Sequence, residues 1–232
     1  MMTTPMTSQP EAALQLMEAV LRDGRPMAAE YAQIFGSGAS GHVETIEEEG
    51  EIVSTCAWIR RDLLVGGLEL PVAFVGSVAT QVNHRGKGHG TAVVERAVAR
   101  AAEDGAAIAL LWADESEWYQ SRGWVPLGTE NVFVVNGNNA FLLPDAEGVR
   151  PMEARDVPAV HGLYCTHDSR VDRSEAETGS ILTIPGLRAL VREVDGEVTG
   201  YACVGRGEDL VHCVHEWGGT PEQVLPLIAG HW

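Results

Sequence analysis

Basic residues are scarce in this sequence of 232 residues, which holds 16 lysines and arginines against 33 aspartates and glutamates and has a formal net charge of -17 at pH 7. Broad binding to nucleic acids or to anionic membranes requires clustered positive charge, so the composition argues against both partners. The acidity is compatible with a cationic partner such as a free amine. The simpler interpretation, which we favour, is that it keeps the protein soluble. We therefore expect no nucleic-acid partner and no membrane partner.

The sequence also lacks paired cysteine motifs and long apolar runs. Its four cysteines are widely spaced and none belongs to a C-x-x-C motif: Cys56, Cys165, Cys203 and Cys213. This spacing indicates free thiols in a reducing compartment. No apolar run approaches the ~20 residues needed to span a bilayer, and the first ten residues contain no signal-like apolar core. These absences predict a cytoplasmic protein.

A metal site is disfavoured by the arrangement of the candidate ligands. These ligands lie in the last third of the chain: His161, Cys165, His167, His212, Cys213 and His215. Zinc needs four converging groups, whereas on a strand Cys213 and His215 share one face and His212 points away from it. We expect buried thiols and hydrogen-bonded imidazoles here, and we predict that the chain holds no metal.

One stretch carries most of the chemical information. An apolar run at 72–80 leads into a loop with glycines at alternate positions, Gly86, Gly88 and Gly90, and a helical pattern at 91–103 leads out of it. Glycine lets backbone amides approach a ligand closely, and the helix start adds unpaired N–H groups and the positive end of its dipole. Strand, glycine turn and helix start together predict a phosphate-binding site.

The spacing within this loop disfavours a nucleotide-binding protein. The stretch 86–90 does not fit G-x-x-x-x-G-K-[ST], and it does not fit G-x-G-x-x-G because residue 91 is threonine. It reads instead as Arg/Gln-x-x-Gly-x-Gly/Ala, with Arg85, Gly88 and Gly90 in the fixed places. This pattern resembles the acetyl-CoA loop of the GNAT N-acetyltransferases. A strand at 107–112 and a helix that carries Tyr119 before Gly123-Trp124 follow in the order that the family has.

The resemblance implies a fold and an activity. The fold is α/β (α+β), a GNAT mixed sheet flanked by helices, followed by a partial second GNAT-like unit. The activity is transfer of an acetyl group from acetyl-CoA, as co-substrate, to a primary amine of a small-molecule or peptide acceptor. The stretch 111–119 looks closest to bacterial tandem GNAT acetyltransferases of the Eis type. The sequence does not identify the acceptor.

The resemblance also assigns roles to residues. The backbone of Val78, Ala79 and Thr80 would bind the pantetheine arm as an added strand does, in a slot that the family opens by a bulge and a splay of this strand. The residues that would hold the pyrophosphate are Arg85, Gly86, Lys87, Gly88, His89, Gly90 and Thr91. The side chains of Arg85 and Lys87 are equally well explained as phosphate ligands and as solvated loop cations.

Tyr119 is the candidate general acid, because its phenol can protonate the CoA thiolate as it leaves. The alternative is that Tyr119 is only an interior aromatic residue of a short helix. No general base is identifiable. Four residues in the right segments are more typical of surface positions or helix caps: Glu69, His84, Asp114 and Glu115.

We expect a flexible tail at 1–10, a GNAT catalytic domain at 11–135, a linker at 136–148 and a partial, degenerate GNAT-like domain at 149–232. In the first domain the patterns predict helices at 11–21, 26–35, 91–103 and 114–122, and strands at 42–48, 51–65, 68–80, 107–112, 124–127 and 131–135. The strand with which a GNAT domain usually begins is not evident in the sequence.

The second half repeats the first in outline. A hairpin across Asp195-Gly196 matches the hairpin across Glu49-Gly50, with helices before each. Asp156 is expected to cap a helix, and a strand at 210–217 and a helix at 221–229 end the chain. No Arg-x-x-Gly-x-Gly pattern follows the strand at 210–217, so we expect no CoA there. Either this unit is truncated or a partner completes it, such as a second copy in a homo-oligomer.

Two functions from different classes fit the sequence. The first is the N-acetyltransferase described above. The second is a catalytically inactive acyl-CoA-binding sensor or interaction protein, which the missing first strand and the incomplete second unit favour. The presence of Tyr119 and of Gly123-Trp124 favours the enzyme. Release of CoA in the presence of a panel of amines separates the two.

Overall fold

The structure is a computed structural model that describes residues 8–36 and 38–232. The chain divides into two compact units, of which the first comprises the chain up to Leu63 together with Glu69–Gly128. The second comprises Leu64–Leu68 and Thr129–Trp232. The expected tail lies mostly outside the described residues, and the first helix already includes Ser8 to Pro10. The domain boundaries at 135, 136–148 and 149 stay predictions.

The first unit is a mixed sheet with helices. Its elements are α1 (Ser8–Leu21), α2 (Ala32–Phe35), β1 (His42–Glu48), β2 (Glu51–Val65), β3 (Leu68–Thr80), α3 (His89–Glu103), β4 (Ile108–Leu110) and α4 (Ser116–Gln120). The sheet order is β1-β2-β3-β4, with β1 antiparallel to β2 and β3 parallel to β4. The predicted α/β class, with a mixed sheet flanked by helices, is confirmed. Since α1 begins at the first described residue, the first strand of a GNAT domain, which is not evident in the sequence, would lie outside the described residues.

Strand β2 is buried on both faces, because successive side chains of a strand point in opposite directions. Cys56 and Trp58 pack on one face together with the buried side of α3, and Ala57 packs on the other face together with α1. The buried residues of α3 recur at the spacing of one helical face: Val93, Val94, Ala97 and Ala101. The sheet is therefore the middle layer of this unit.

The second unit contains an antiparallel sheet. Its elements are β5 (Val149–Pro151), α5 (Val157–Tyr164), β6 (Ser169–Val171), α6 (Glu175–Ile181), β7 (Arg188–Val194), β8 (Glu197–Val204), β9 (Val214–Gly218) and α7 (Pro221–His231). Four of its strands are ordered β5-β7-β8-β9. Helix α5 packs against Val191 and Tyr201, and Leu227 of α7 packs against Leu190 and Ala202. None of the described helices combines the length and apolar character that crossing a membrane requires.

The two predicted hairpins, β1–β2 and β7–β8, form with the same turn and the same irregularity. The turn residues are Glu49 and Gly50 at φ +54° and +86°, and Asp195 and Gly196 at φ +52° and +84°. Two central residues at positive φ are typical of a type I′ turn. Each hairpin shifts register two residues before the end of its first strand, after Ile46 and after Arg192.

Two predicted strands, at 124–127 and 131–135, do not form. A strand is stable when a neighbour satisfies its backbone groups, and among the described strands β4 pairs only with β3. The side chains of Val125 and Phe133 are accordingly 80% and 90% exposed. Strand β4 is also shorter than the predicted 107–112, and Ile108 is 38% exposed, so the prediction of burial on both faces is wrong.

Two predicted helices are shorter than the pattern indicated. At 26–35 only Ala32–Phe35 is helical, because the preceding residues form single turns in which Glu30 donates to the carbonyl of Met27 and Tyr31 to that of Ala28. Helix α4 ends at Gln120, three residues before Gly123 at φ +87°. Asp156 does precede α5, but its carboxylate accepts from Arg150 and from the amide of Glu153 rather than capping α5.

A buried ion pair, Arg173–Glu216, lies inside the second unit. The Nη1 and Nη2 atoms of Arg173 donate to the Glu216 carboxylate at 2.9 and 2.7 Å, and its Nε donates to Thr178 Oγ1 at 3.0 Å. Tyr201 Oη donates to the same carboxylate at 3.0 Å. Burial is the largest single influence and would raise the pKa of Glu216, but the hydrogen bonds and charge of Arg173, together with the hydrogen bond from Tyr201, hold this pKa below its usual value.

We expect Arg173→Met to destabilise the second unit by roughly 3–5 kcal/mol, because it leaves a buried carboxylate without its cation. Hydrogen exchange of the amides in β7 and β8 measures the local unfolding free energy. The control is Arg155→Met in the same unit, which breaks a pair whose side chains are 69% and 57% exposed and should change stability by about 1 kcal/mol or less. Equal effects of the two substitutions would contradict this account of the ion pair.

Candidate active site

The glycine loop has the open conformation that its sequence predicts. Gly86 and Gly88 have φ values of +77° and +89°, which L-residues rarely adopt. A Cβ atom built at either position meets nothing within 4 Å, so the space beside both residues is free. At Gly90 the φ value is ordinary, but a Cβ would lie 3.4 Å from Thr80 Oγ1 and 3.5 Å from the Trp118 ring. Gly90 therefore serves close packing, whereas Gly86 and Gly88 leave the loop backbone accessible.

Helix α3 begins directly after this loop without a side-chain cap. The N-cap residue is Gly88, which has no side chain to bond the first amides of the helix. No acidic residue lies in the first turn. The first N–H groups of a helix have no intrahelical acceptor and lie at the positive end of its dipole. The start of α3 is therefore able to bind an anion through backbone groups.

Strand β3 separates from its neighbour just before the loop. Strand β4 pairs with Val72, Ala73 and Phe74, and within the described part of the chain no strand pairs with β3 on that side beyond Phe74. Ser77 adopts φ +49°, which indicates a bulge in β3. A backbone edge without a partner is what an extended ligand can pair with.

The residues predicted to line this edge, 78–80, are the last three of β3. Val78 packs toward the cluster around α3, and Ala79 is buried toward α1. Ser54 Oγ lies 2.8 Å from Thr80 Oγ1 and donates to the Ala79 carbonyl at 3.1 Å. Contacts on both sides of the sheet thus hold the end of β3 in place.

The basic side chains of the loop already have partners. Arg85 Nε donates to the carbonyl of Thr80 at 3.3 Å, and Lys87 Nζ donates to Glu48 Oε2 at 3.1 Å. The same carboxylate oxygen lies 2.7 Å from His84 Nδ1 and 3.2 Å from His89 Nε2. The hydrogen bond with His84, followed by that from Lys87, lowers the pKa of Glu48 to about 2.

Tyr119 lies on α4 beside two tryptophans. Its ring meets those of Trp118 and Trp124 edge-on, with centroids 4.7 and 6.0 Å apart. Its hydroxyl has no hydrogen-bond partner within the described residues. Burial raises the pKa of this phenol above 10, and the buried thiol of Cys56 adds to the shift. The phenol is therefore protonated at neutral pH and free to donate a hydrogen bond.

Arg122 is a site residue that the sequence reasoning missed. Its Nε donates to Thr91 Oγ1 at 2.7 Å, its Nη1 donates to the Trp118 carbonyl at 2.6 Å, and its guanidinium carbon lies 3.9 Å from the Trp118 ring centroid. The side chain thus fastens α4 to the first turn of α3 and adds a positive charge beside that helix start. No motif in the sequence marks it, because its partner is 31 residues away.

The other candidates from the sequence lie elsewhere. Glu69, Asp114 and Glu115 are exposed, and the geometry assigns none of them the role of general base. The imidazoles of the second unit accept or donate locally, as expected: His161 with Thr178, His167 with the Trp217 carbonyl and His215 with the Gly205 carbonyl. Of the thiols expected to be buried, those of Cys165 and Cys213 are exposed, because they lie at a helix end and in a loop.

One protein-family model and several solved structures are similar to this chain. Residues 6–127 match a family model described as an acetyltransferase (GNAT) domain. No curated protein matches the sequence significantly. A probable N-acyltransferase from Enterococcus faecalis V583 superposes with a TM-score of 0.70 at 15% identity, over 95% of this chain and 58% of that one.

Two further solved structures superpose along most of the chain. For a GCN5-related N-acetyltransferase from Anabaena variabilis the TM-score is 0.67 at 17% identity, over 97% of this chain and 61% of that one. For the N-myristoyltransferase of Saccharomyces cerevisiae with bound myristoyl-CoA it is 0.60 at 14% identity, over 91% and 63%. At these identities the likeness is one of fold. The chain spans about three fifths of the length of these structures.

The positive φ of Ser77 in β3 can be tested by substitution. We expect Ser77→Val to lower the free energy of unfolding by about 1–2 kcal/mol, because a β-branched residue is strained at positive φ, whereas Ser77→Gly should be nearly neutral. Urea unfolding measures both. Thr45→Val, at a position of β1 where φ is not positive, is the matched control. If Ser77→Val is as well tolerated as Thr45→Val, β3 has no bulge at this position.

Proposed function

Because the chain belongs to the GNAT family of acetyltransferases, we propose that it transfers an acetyl group from acetyl-CoA to a primary amine of a small-molecule or peptide acceptor. The observation that carries this proposal is the junction of two features. The unpaired edge of β3 ends at the glycine loop, whose helix start lacks a cap. The edge of β3 suits the amides of the extended pantetheine arm of CoA, and the helix start suits the pyrophosphate of CoA.

In the proposed complex the pantetheine amides pair with the backbone of Val78, Ala79 and Thr80, as an added strand would. The pyrophosphate lies against the loop and the helix start, where the first backbone amides of α3 have no side-chain cap. The proposed cofactor-binding residues of this second region are Arg85, Gly86, Lys87, Gly88, His89, Gly90 and Thr91. Since Lys87 is paired with Glu48, we assign the phosphate contact mainly to backbone amides and to Arg122.

The proposed reaction is a direct attack. A neutral amine forms the new N–C bond at the thioester carbonyl, the C–S bond breaks, and the CoA thiolate takes a proton. Tyr119 is the proposed donor of that proton, since its free hydroxyl belongs to a phenol that burial keeps protonated. The resulting phenolate recovers a proton from solvent or from the amine that has been acylated.

We also propose that the second unit, within residues 149–232, is a partial GNAT-like repeat that binds no CoA. The shared turn and register shift of the two hairpins support the repeat. Between β9 and α7 lie only two residues, against eight between β3 and α3, which leaves no room for a phosphate loop. The tandem organisation and the catalytic domain at 11–135 belong to the same proposal. We propose further that the protein is cytoplasmic and that it forms a homo-oligomer.

Binding is tested by thermal unfolding with and without acetyl-CoA. A ligand at 100 times its dissociation constant stabilises by about 2.7 kcal/mol, and we expect Gly88→Ala to abolish this shift by distorting the loop. Gly105→Ala is the matched control, because Gly105 ends α3 at φ +88° with equally free surroundings. Both variants should lose about 1–2 kcal/mol of stability. Retention of the shift in Gly88→Ala, or its loss in both variants, would count against the assigned loop.

Catalysis is tested by release of CoA with a panel of amines. We expect Tyr119→Phe to lower kcat by about 10²–10⁴-fold at neutral pH, which is the usual contribution of general acid catalysis, without weakening the acetyl-CoA shift. The control is Tyr164→Phe, which removes a phenol hydroxyl in the second unit and should leave kcat unchanged. Because burial raises the pKa of Tyr119 above its ordinary value, the wild-type acid should stay protonated and active into the alkaline range in which an exposed phenol ionises. Binding without turnover for any amine would favour an acyl-CoA sensor over an enzyme.

A further inference from the structure

Three potential metal ligands converge beside the glycine loop, and we propose that they bind a divalent transition-metal ion of the Zn²⁺ class. Glu48, His84 and His89 each offer one ligand atom, and these three atoms lie within 4.8 Å of one another. Within the described part of the chain this is the one such group of three. The residues come from separate elements: the end of β1, the short 3-10 helix Val82–His84 and the first residue of α3.

The distances suit one ion. Tetrahedral zinc with bonds of about 2.0–2.1 Å to nitrogen and oxygen holds its ligand atoms roughly 3.3 Å apart. Glu48 Oε2 lies 2.7 Å from His84 Nδ1 and 3.2 Å from His89 Nε2. Small rotations of these side chains therefore bring the three atoms to bonding distance without a change of backbone. The fourth position is left for water or another exogenous ligand.

The donor set selects the class of ion. Two imidazoles and one carboxylate suit Zn²⁺, Co²⁺ and Ni²⁺, whereas Mg²⁺ and Ca²⁺ prefer oxygen ligands alone. The three side chains are only partly exposed, with 37%, 22% and 19% of the side-chain surface accessible at Glu48, His84 and His89. Such a position admits an ion from solvent while limiting the freedom of the ligands.

Lys87 competes with the ion. Its ammonium lies 3.1 Å from Glu48 Oε2 and 3.4 Å from His84 Nδ1, so it occupies the place that a cation would take. The side chain is 46% exposed and can move into solvent. Binding thus exchanges one cation for another at the same carboxylate. Because His84 and His89 flank Gly86 and Gly88, an ion held here would fix both ends of the glycine loop.

The test is calorimetric titration of chelator-stripped, full-length protein with ZnCl₂, supported by the visible spectrum of the CoCl₂-loaded protein. We expect one ion per chain. Loss of a residue that only hydrogen-bonds a metal ligand weakens metal sites by about 10–100-fold. His84→Gln and His89→Gln each remove a ligand itself, so they should weaken binding at least tenfold. Lys87→Met should instead tighten it, since it removes the competing ammonium. Nonspecific binding to surface histidines would not respond in this way.

Two controls complete the experiment. His212→Asn removes an exposed histidine outside the group and keeps a residue type that tolerates its φ of +59°, so binding should be unchanged. Cys165→Ser tests the alternative that the exposed thiol near His161 holds the ion. No binding by wild type, unchanged binding in both histidine variants, or loss in Cys165→Ser would overturn the proposal. Circular dichroism with chelator checks folding, and either histidine variant decides alone if the other unfolds. The readout is independent of acyl transfer.

Discussion

The candidate site depends on one constraint: β3 and β4 pair over only three residues. Parallel strands normally continue side by side and satisfy each other's backbone groups. Beyond Phe74 the edge of β3 has no such partner among the described strands, and its groups must bind water or a ligand instead. Ser77, at φ +49°, departs from regular strand geometry within this open segment, which continues to the glycine loop. Loop and edge become one continuous backbone surface.

The electrostatics of the loop follow from where its cations lie. A protein with a net charge of -17 needs a local source of positive potential if it is to bind an anion. Lys87 and His84 face the Glu48 carboxylate, which offsets positive charge there, and Arg85 is hydrogen-bonded to the carbonyl of Thr80. The backbone amides and the dipole of α3 are left, together with Arg122. This explains why glycine, rather than lysine, is the informative residue in the loop.

The sequence predicted the elements whose signals are local. The turns at Glu49-Gly50 and Asp195-Gly196 specify their hairpins, and the apolar spacing of 91–103 specifies α3, which starts two residues earlier than predicted. The strands at 124–127 and 131–135 failed because an apolar run does not reveal whether a neighbour exists to pair with it. The loop conformation was predictable from its glycines. The roles of Tyr119 and of residues 78–80 stay predictions.

The contacts around the loop were beyond prediction, because they join residues far apart in the chain. Glu48 reads as one acidic residue of a hairpin tip, and only the fold brings it to His84, 36 residues later. Arg122 reads as a surface cation after a short helix until its contact with Thr91 is seen. The expectation that the chain holds no metal considered only histidines and cysteines of the second unit. It did not include the carboxylate of Glu48 at the end of β1 as a ligand.

Glycines at the strand-to-helix connection have different roles in the two units. In the second unit β9 is followed by α7 after two residues, and a Cβ at Gly219 would lie 2.8 Å from the carbonyl oxygen of Thr199. A Cβ at Gly200 would lie 3.0 Å from the Cβ of Gln223 on α7. Glycine there lets the helix pack closely onto the sheet. At Gly86 and Gly88 the same residue type has free space beside it. Gly86 and Gly88 therefore have no packing role, and their position just before the uncapped start of α3 leaves the loop backbone accessible to a ligand.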